Sequence, residues 1–473
     1  VDYHKTNRRM EAVAEYRIEH DLLGNREVPK SAYYGVQTVR ALENFKVSNI
    51  AISHYPELIR ALGYIKKACA LANLECKTME KSVADAIAKA SDEVIAGKLD
   101  DQFPVDSIQG GAGTSTNMNA NEVIANRALE LIGKEKGDYK FIHPNNHVNM
   151  SQSTNDVYPT SLRLATAWML DQLVEEVDHL QKALKKKGEE FADVLKMGRT
   201  QLQDAVPMSL GQEFAAYSAM IEEEIEKIRR VQSQLYTINM GATAIGTGIT
   251  APKGYDAVVT RHLATLTGLP LVLAPDLVKA TQDAGDFVEV STTVKRLAVK
   301  TSKICNDLRL LSSGPRTGIG EISLPAKQPG SSIMPGKVNP VIPEVVNQVA
   351  FEVIGNDMTI TMAAEAGQLE LNVMEPMLAF KLFSSILHFK RVLRILTDQC
   401  IVGIVANRER CRSLMENSIG LVTALVPILG YELCTDIAKK AQATGGSVYE
   451  IVLNGGHLSK EELDDILSPE HML

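Results

Sequence analysis

Apolar residues recur at three- and four-residue steps over most of the chain. Leu58, Leu62 and Ile65 mark one amphipathic helix, and Val83, Ile87, Ala90 and Val94 a second, with Gly97 placed to stop it. A long helix is expected over about 160–192, with Leu173, Val177, Leu180 and Leu184 on one face. Another carries Phe214, Ile221, Ile225, Ile228, Leu235 and Ile238 in register. The clearest pattern is Phe287, Val290, Val294, Leu297, Thr301, Ile304, Leu308 and Leu311, whose alternating steps form the seam of antiparallel helices in a bundle. Two more apolar helices are expected over 344–366 and 376–402.

Between these segments the pattern weakens. Residues 16–56 read as irregular or short extended structure, with a turn at Gly24-Asn25 and prolines at 29 and 56. A Gly-rich stretch at 241–248 and a shorter helix fill 241–285. The tail carries two capping boxes, Ser447-x-x-Glu450 and Ser459-x-x-Glu462, which mark short helices. There is no internal repeat and no low-complexity tract. The fold class expected is all-α: an elongated central five-helix bundle over 155–405, with smaller, mostly helical domains at 1–154 and 406–473.

Composition supports helices packed on helices. The 473 residues hold 5% aromatics and a single tryptophan, Trp168, among plentiful Ala, Leu, Ile, Val and Met. A net charge of -8 argues against nucleic acid or an anionic membrane surface as partner. The six cysteines (69, 76, 305, 400, 411 and 434) form no C-x-x-C pair, so buried free thiols are expected rather than disulfides. No apolar run approaches the roughly 20 residues that span a bilayer. The N-terminus lacks a basic-then-apolar signal pattern, so a cytoplasmic compartment is expected. Residues 1–9 read as an extension without a role.

Three polar stretches carry the candidate chemistry. Gln109-Gly-Gly-Ala-Gly-Thr-Ser-Thr-Asn-Met-Asn-Ala-Asn121 crowds Thr114, Ser115 and Thr116 at a helix start, where free N–H groups and a positive dipole end suit a carboxylate. Taken alone, the stretch reads better as helix capping by Thr or Ser. Ser151-Gln-Ser153-Thr154-Asn155-Asp156 opens the long helix, with Pro159 in its first turn, and Arg199-Thr200-Gln201-Leu202-Gln203-Asp204 forms the break after it. Gly330-Ser331-Ser332-Ile333-Met334-Pro335-Gly336-Lys337-Val338-Asn339-Pro340 resists regular structure. It reads as a loop hinged at Gly330 and Gly336 that closes over a small anion, with Lys337 and Asn339 holding a carboxylate and a serine left for chemistry. No metal constellation, nucleophile elbow, phosphate loop or dinucleotide fingerprint is present. His143-x-x-x-His147 has helical ligand spacing, but Pro144 makes loop histidines the better reading.

Uncharged donors with Lys337 and Arg199 suit a carboxylate that gains charge during reaction. Removing a proton beside a carboxylate creates a dianionic aci-carboxylate, and each prepositioned donor contributes about 10²–10³ in rate. Geometry bears on assembly. A helix of roughly 35 residues between Asn155 and Arg199 spans about 50 Å, so one small acid cannot touch both its ends within one chain. Either one cluster is idle, or neighbouring subunits bring the ends together.

Along nearly its full length the chain, through these three stretches, resembles the aspartase/fumarase superfamily, and within it the ammonia-lyase branch. The resemblance implies a homotetramer whose sites each draw on three subunits, acting on L-aspartate, fumarate and ammonium without a cofactor. In some relatives a divalent cation or aspartate activates from a separate site. Ser331 matches the general base that takes the C3 proton. Thr114, Ser153, Thr154, Thr200 and Ser332 match groups that bind the reacting β-carboxylate. Lys337 and Asn339 match the clamp on the α-carboxylate, Asn155 and Gln201 match positions near the amino group, and Glu344 matches a nearby carboxylate. The nearest rival is a fumarase, which typically has His at the position of Gln201 and Ser at that of Thr154. A neutral amide accepts from an ammonium, whereas a histidine shuttles a proton to leaving hydroxide. A catalytically silent helical scaffold is the other alternative; it should have lost the Ser331 or Lys337 type, and both are present.

Overall fold

The computed structural model describes residues 15–468 and 471; the extension at 1–9 lies outside them. Helices dominate, and strands among the described residues are confined to four two-stranded pairs. The chain divides into two compact units, one of residues up to Leu170 with Arg230–Thr292 and Asn356–Ser384, the other of Asp171–Arg229, Thr293–Gly355 and Ser385–Leu473. The dividing points fall inside the five long helices, so each helix serves both units.

The first unit opens with an antiparallel hairpin, β1 (Tyr16–Asp21) and β2 (Gly24–Pro29). The expected turn at Gly24-Asn25 is displaced: Asp21 pairs with Gly24, so Leu22 and Leu23 make the turn. Helix α1 (Val36–Asn44) lies in the stretch expected to be irregular or extended. Nine residues cannot hold a helix by themselves. Its first turn is capped from far along the chain by Glu122, which accepts from the N–H groups of Gly35, Gln37 and Thr38. Helices α2 (Pro56–Glu75) and α3 (Lys81–Ile95) lie where the periodicity put them, and Gly97, at φ 71°, closes α3 by donating to Val94 O. Helix α4 (Thr114–Leu131) follows.

Helix α5 (Thr154–Glu190) has 37 residues and begins six residues earlier than expected, which leaves Pro159 inside it. Proline has no N–H to give to Asn155 O. That carbonyl accepts from Asn239 Nδ2 at 3.1 Å instead, which lets the helix pass through. The break at 199–204 is the tip of a second hairpin, β3 (Leu195–Thr200) with β4 (Gln203–Ser209). Helix α6 (Leu210–Gln234) stops short of Leu235 and of Ile238, which lies in β5 (Thr237–Ile238), paired with β6 (Val272–Leu273) around α7 (Tyr255–Thr267). Then come α8 (Leu277–Gln282), α9 (Gly285–Leu311), β7 (Ile322–Ser323), α10 (Val341–Glu365), α11 (Glu375–Gln399) and β8 (Val405–Ala406). All eight seam residues of α9 are buried.

Within the second unit the long helices close a ring of side-chain hydrogen bonds. Lys390 of α11 meets Gln172 of α5, Gln181 of α5 meets Ser218 of α6, and Tyr217 of α6 meets Asp307 of α9. Asn347 of α10 binds Ser302 of α9, and His388 of α11 meets Glu352 of α10. That is a five-helix bundle. Helices α12 (Arg408–Glu416), α13 (Val422–Leu429), α14 (Tyr431–Thr444), α15 (Val448–Asn454) and α16 (Lys460–Ile466) build a small core of Met415, Leu425, Ile437, Val452 and Leu463, joined by Met197 of β3. Ser459 forms a full capping box with Glu462. Ser447 does not, because its hydroxyl donates to Glu416 O. The six cysteines are free thiols, all buried except the half-exposed Cys76.

Candidate active site

The sequence-predicted residues fall into two groups, one in each unit. In the first unit, Gly113 precedes α4 at φ 88°, and a Cβ there would meet the Tyr158 ring at 2.4 Å. Only glycine allows this approach, which sets the first turns of α4 and α5 side by side. Two helix N-termini therefore lie together, carrying Thr114 on one and Thr154 and Asn155 on the other, with Ser153 just ahead. Thr114 does not cap its helix. Gln109 does so instead, accepting from the N–H and hydroxyl of Thr116, both at 3.1 Å. Ser153 accepts from Asn155 N at 3.2 Å, and Asp156 Oδ1 accepts in return from Ser153 N at 3.0 Å. Asp156 is fully buried, takes two further backbone N–H groups from Gly241 and Thr243, and is pushed up to about 7 by burial. Asn155 Nδ2 donates to Ala244 O at 2.7 Å, and among the described residues nothing donates to its Oδ1.

Behind this face sits a lysine that the sequence reading missed. Lys66 of α2 is 0% exposed and donates to Asn117 Oδ1 (2.7 Å), Gln152 Oε1 (2.8 Å) and Asn149 Oδ1 (3.1 Å). Burial lowers it to about 7. Its place on the face of Leu62, Ile65 and Cys69 was the available signal.

In the second unit, Thr200 and Gln201 stand exposed at the β3–β4 tip, where Gln201 and Leu202 both adopt positive φ, 54° and 61°. Arg199 is held beneath them by Glu321 at 2.8 Å, which also meets Lys196 at 3.0 Å. The 330–340 segment is a loop with a narrow neck: Gly330 N donates to Lys337 O at 2.7 Å, and Asn339 Nδ2 to Gly330 O at 2.9 Å. A Cβ on Gly330 would meet Lys337 O at 2.8 Å, so the two glycines differ. Gly330 permits the neck, and Gly336, at φ 81° in open space, permits the turn. Ser331 Oγ accepts from Met334 N at 3.0 Å and Ile333 N at 3.2 Å. Ser332 and Lys337 are exposed, and among the described residues nothing bonds the Lys337 ammonium. Glu344 lies half-buried in the first turn of α10. His143 and His147 accept from backbone N–H groups in an irregular turn, and no trio of His, Cys, Asp or Glu gathers as a metal site among the described residues. No helix among them is long and apolar enough to cross a membrane.

Residues 24–355 match the family model described as Lyase, and 421–473 the one described as Fumarase C C-terminus. The chain belongs to the aspartase/fumarase superfamily of lyases. It is 58% identical to a Pseudomonas canavaninivorans aspartate ammonia-lyase over 98% of both chains. It is 56% identical to that of Escherichia coli K12 over 97% of this chain and 96% of the relative. A cobalt-bound fumarate lyase:delta crystallin structure from Brucella melitensis superposes with a TM-score of 0.94 at 52% identity, covering 97% of this chain and 99% of that one. Superfamily membership accounts for the all-α bundle.

Proposed function

We propose that the protein is an aspartate ammonia-lyase, converting L-aspartate reversibly to fumarate and ammonium. The observation that carries this reading is Ser331 Oγ, which accepts two backbone N–H bonds at 3.0 and 3.2 Å. Donors aimed at an oxygen favour its anion, so the alkoxide of an ordinarily weak base becomes accessible. In the proposed step the Ser331 alkoxide takes the C3 proton, and the C3–H electron pair moves into the β-carboxylate to give the aci-carboxylate. Its collapse forms the C2–C3 double bond and breaks the C–N bond, so that the C2 ammonium group departs as ammonia; the proton held by Ser331 is then released to make ammonium and restore the alkoxide. Thr114, Ser153, Thr154, Thr200 and Ser332 donate to the β-carboxylate as it gains charge. Lys337 and Asn339 hold the α-carboxylate, although one Asn339 N–H is already committed to the loop neck. Asn155 and Gln201 face the amino group; the open Oδ1 of Asn155 supports that assignment. The step needs no cofactor.

We further propose that the two groups meet between copies of the chain in a homotetramer. Thr154 opens and Glu190 closes one 37-residue helix, about 55 Å long. Helix α10 leaves Phe351, Met358 and Met362 each 64% exposed at helical spacing, an apolar stripe suited to another α-helical surface of the same chain. Three domains at 1–154, 155–405 and 406–473, and a cytoplasmic setting, complete the reading. Incubation of the protein with fumarate plus ammonium should yield aspartate, and with fumarate alone no malate. Malate in the second tube overturns the proposal in favour of a fumarase.

A further inference from the structure

Lys66 has no carboxylate partner among the described residues; its three bonds all go to neutral amides. An ammonium can only donate, so every amide facing it must present oxygen. For Asn117, 1% exposed on α4, this fixes the other end of the side chain. Its Nδ2 is turned toward Thr154 and donates to Thr154 Oγ1 at 3.1 Å. The same Nδ2 reaches Asn149 Oδ1 at 3.1 Å, and that oxygen also takes Asn121 Nδ2, so Asn149 cannot flip either. Gln152 is locked in turn, its Nε2 donating to Val148 O and Met150 O.

The polarity then propagates. Thr154 Oγ1 is made an acceptor on its inner side, and its own hydrogen has no acceptor among the described residues. A buried hydroxyl left with a free donor is costly unless a ligand takes it. We propose that Lys66 and Asn117 are positioning residues that fix the Thr154 hydroxyl as a donor to the substrate carboxylate. The relay rests on Thr154 touching substrate, as in the function proposed above. It does not depend on the charge of Lys66. An amine keeps two N–H groups, enough for the two shortest bonds, to Asn117 and Gln152, so the orientation of Asn117 holds in either protonation state.

The test is a double-mutant cycle on the purified oligomer, reading kcat and KM for L-aspartate with the thermal midpoint alongside. Asn117→Asp keeps the oxygen toward Lys66 but replaces the donor facing Thr154 by an acceptor, which draws the threonine hydrogen inward. It should lower kcat/KM about 10- to 100-fold, mostly in kcat, as expected for a lost transition-state donor. Thr154→Val should cost a similar factor, and adding Asn117→Asp to it should cost no more than about twofold further. Lys66→Met runs the same cycle from the other end and decides the matter if Asn117→Asp does not fold. Factors that multiply in the double variant mean that Asn117 acts on the fold at large, and the relay is overturned while the function stands. Thr154→Val at wild-type kcat/KM removes the assignment of Thr154 to substrate, and the relay with it.

Discussion

Thr154 stands at the end of a buried network in which Lys66, Asn117, Asn149 and Gln152 each have one permitted orientation. Ser331 stands on an exposed loop tied at its neck by two hydrogen bonds, with Lys337 and Ser332 in solvent. Both places hold a hydroxyl whose oxygen accepts N–H bonds, but the donors differ. Thr154 takes one N–H from Asn117, which is itself fixed by Lys66 and Asn149 from other segments, so its direction is set by the fold. Ser331 is held by its own loop's backbone, so the oxygen and its donors belong to one turn. The buried side is suited to preorganised binding of developing charge, and the loop side to a base that keeps its anion-stabilising donors through closure. The first arrangement requires a rigid site, the second a small self-contained turn.

The largest effect expected is on the loop. Ser331→Ala should lower kcat by at least about 10²–10⁴ while the thermal midpoint survives, because the serine contributes nothing to a core. Near-normal turnover would reject Ser331 as the base. Next is the buried side, where Gly113→Ala drives a methyl group to 2.4–2.6 Å from the Tyr158 ring at a φ of 88°. It should cost about 2–4 kcal/mol of stability and show in the thermal midpoint. An unchanged midpoint would mean that the two helix starts are not rigidly set. Lys337→Ala returns to the loop: if its ammonium holds the non-reacting carboxylate in ground and transition states alike, as proposed, KM for aspartate should rise about 10- to 100-fold with a smaller change in kcat. A fall in kcat at constant KM contradicts that role.

The buried side also has a pH signature. Lys66 titrates at about 7 in the folded chain against 10.5 ordinarily, because burial disfavours its charge. Between those values the unfolded chain holds the extra proton, so unfolding free energy rises with pH, by at most about 1.4 kcal/mol per pH unit. Below about 7 both states are charged and the dependence vanishes. Lys66→Met lacks this contribution, so the stability of the wild type relative to the variant should improve from pH 7 to 9. A pH-independent difference would show that Lys66 is not desolvated.

The long helices were legible because burial follows a three- and four-residue period, as in the eight seam positions of α9. Elements stabilised from a distance were not. Helix α1 depends on a carboxylate more than 80 residues away. The β3–β4 tip turns through Gln201 and Leu202 at positive φ with no glycine to announce it. The polar stretches were legible by residue type, since Ser, Thr, Asn and Gly at helix starts and in loops are conspicuous. Their wiring was not. The place of Lys66 on an apolar helix face signals burial, but nothing local states that three amide oxygens from elsewhere will surround it.

The smallest effect separates the two sides most cleanly, because it uses the same substitution. Gly336, like Gly113, has positive φ, 81° against 88°. Unlike Gly113, it has nothing within 4 Å of the added methyl group. Gly336→Ala therefore meets backbone strain alone, about 1 kcal/mol. The loop is exposed and can relax locally, so the thermal midpoint should stay within about 1 °C of wild type. The strain falls instead on the conformation that holds Met334 N and Ile333 N against Ser331 Oγ. If that turn is what the base requires, kcat should drop about threefold to tenfold in a protein of unaltered stability, the reverse of the pattern for Gly113→Ala. A Gly336→Ala protein with wild-type kcat would mean that the turn is incidental to the chemistry, and a lowered midpoint would mean that the loop is as integral to the fold as the buried network.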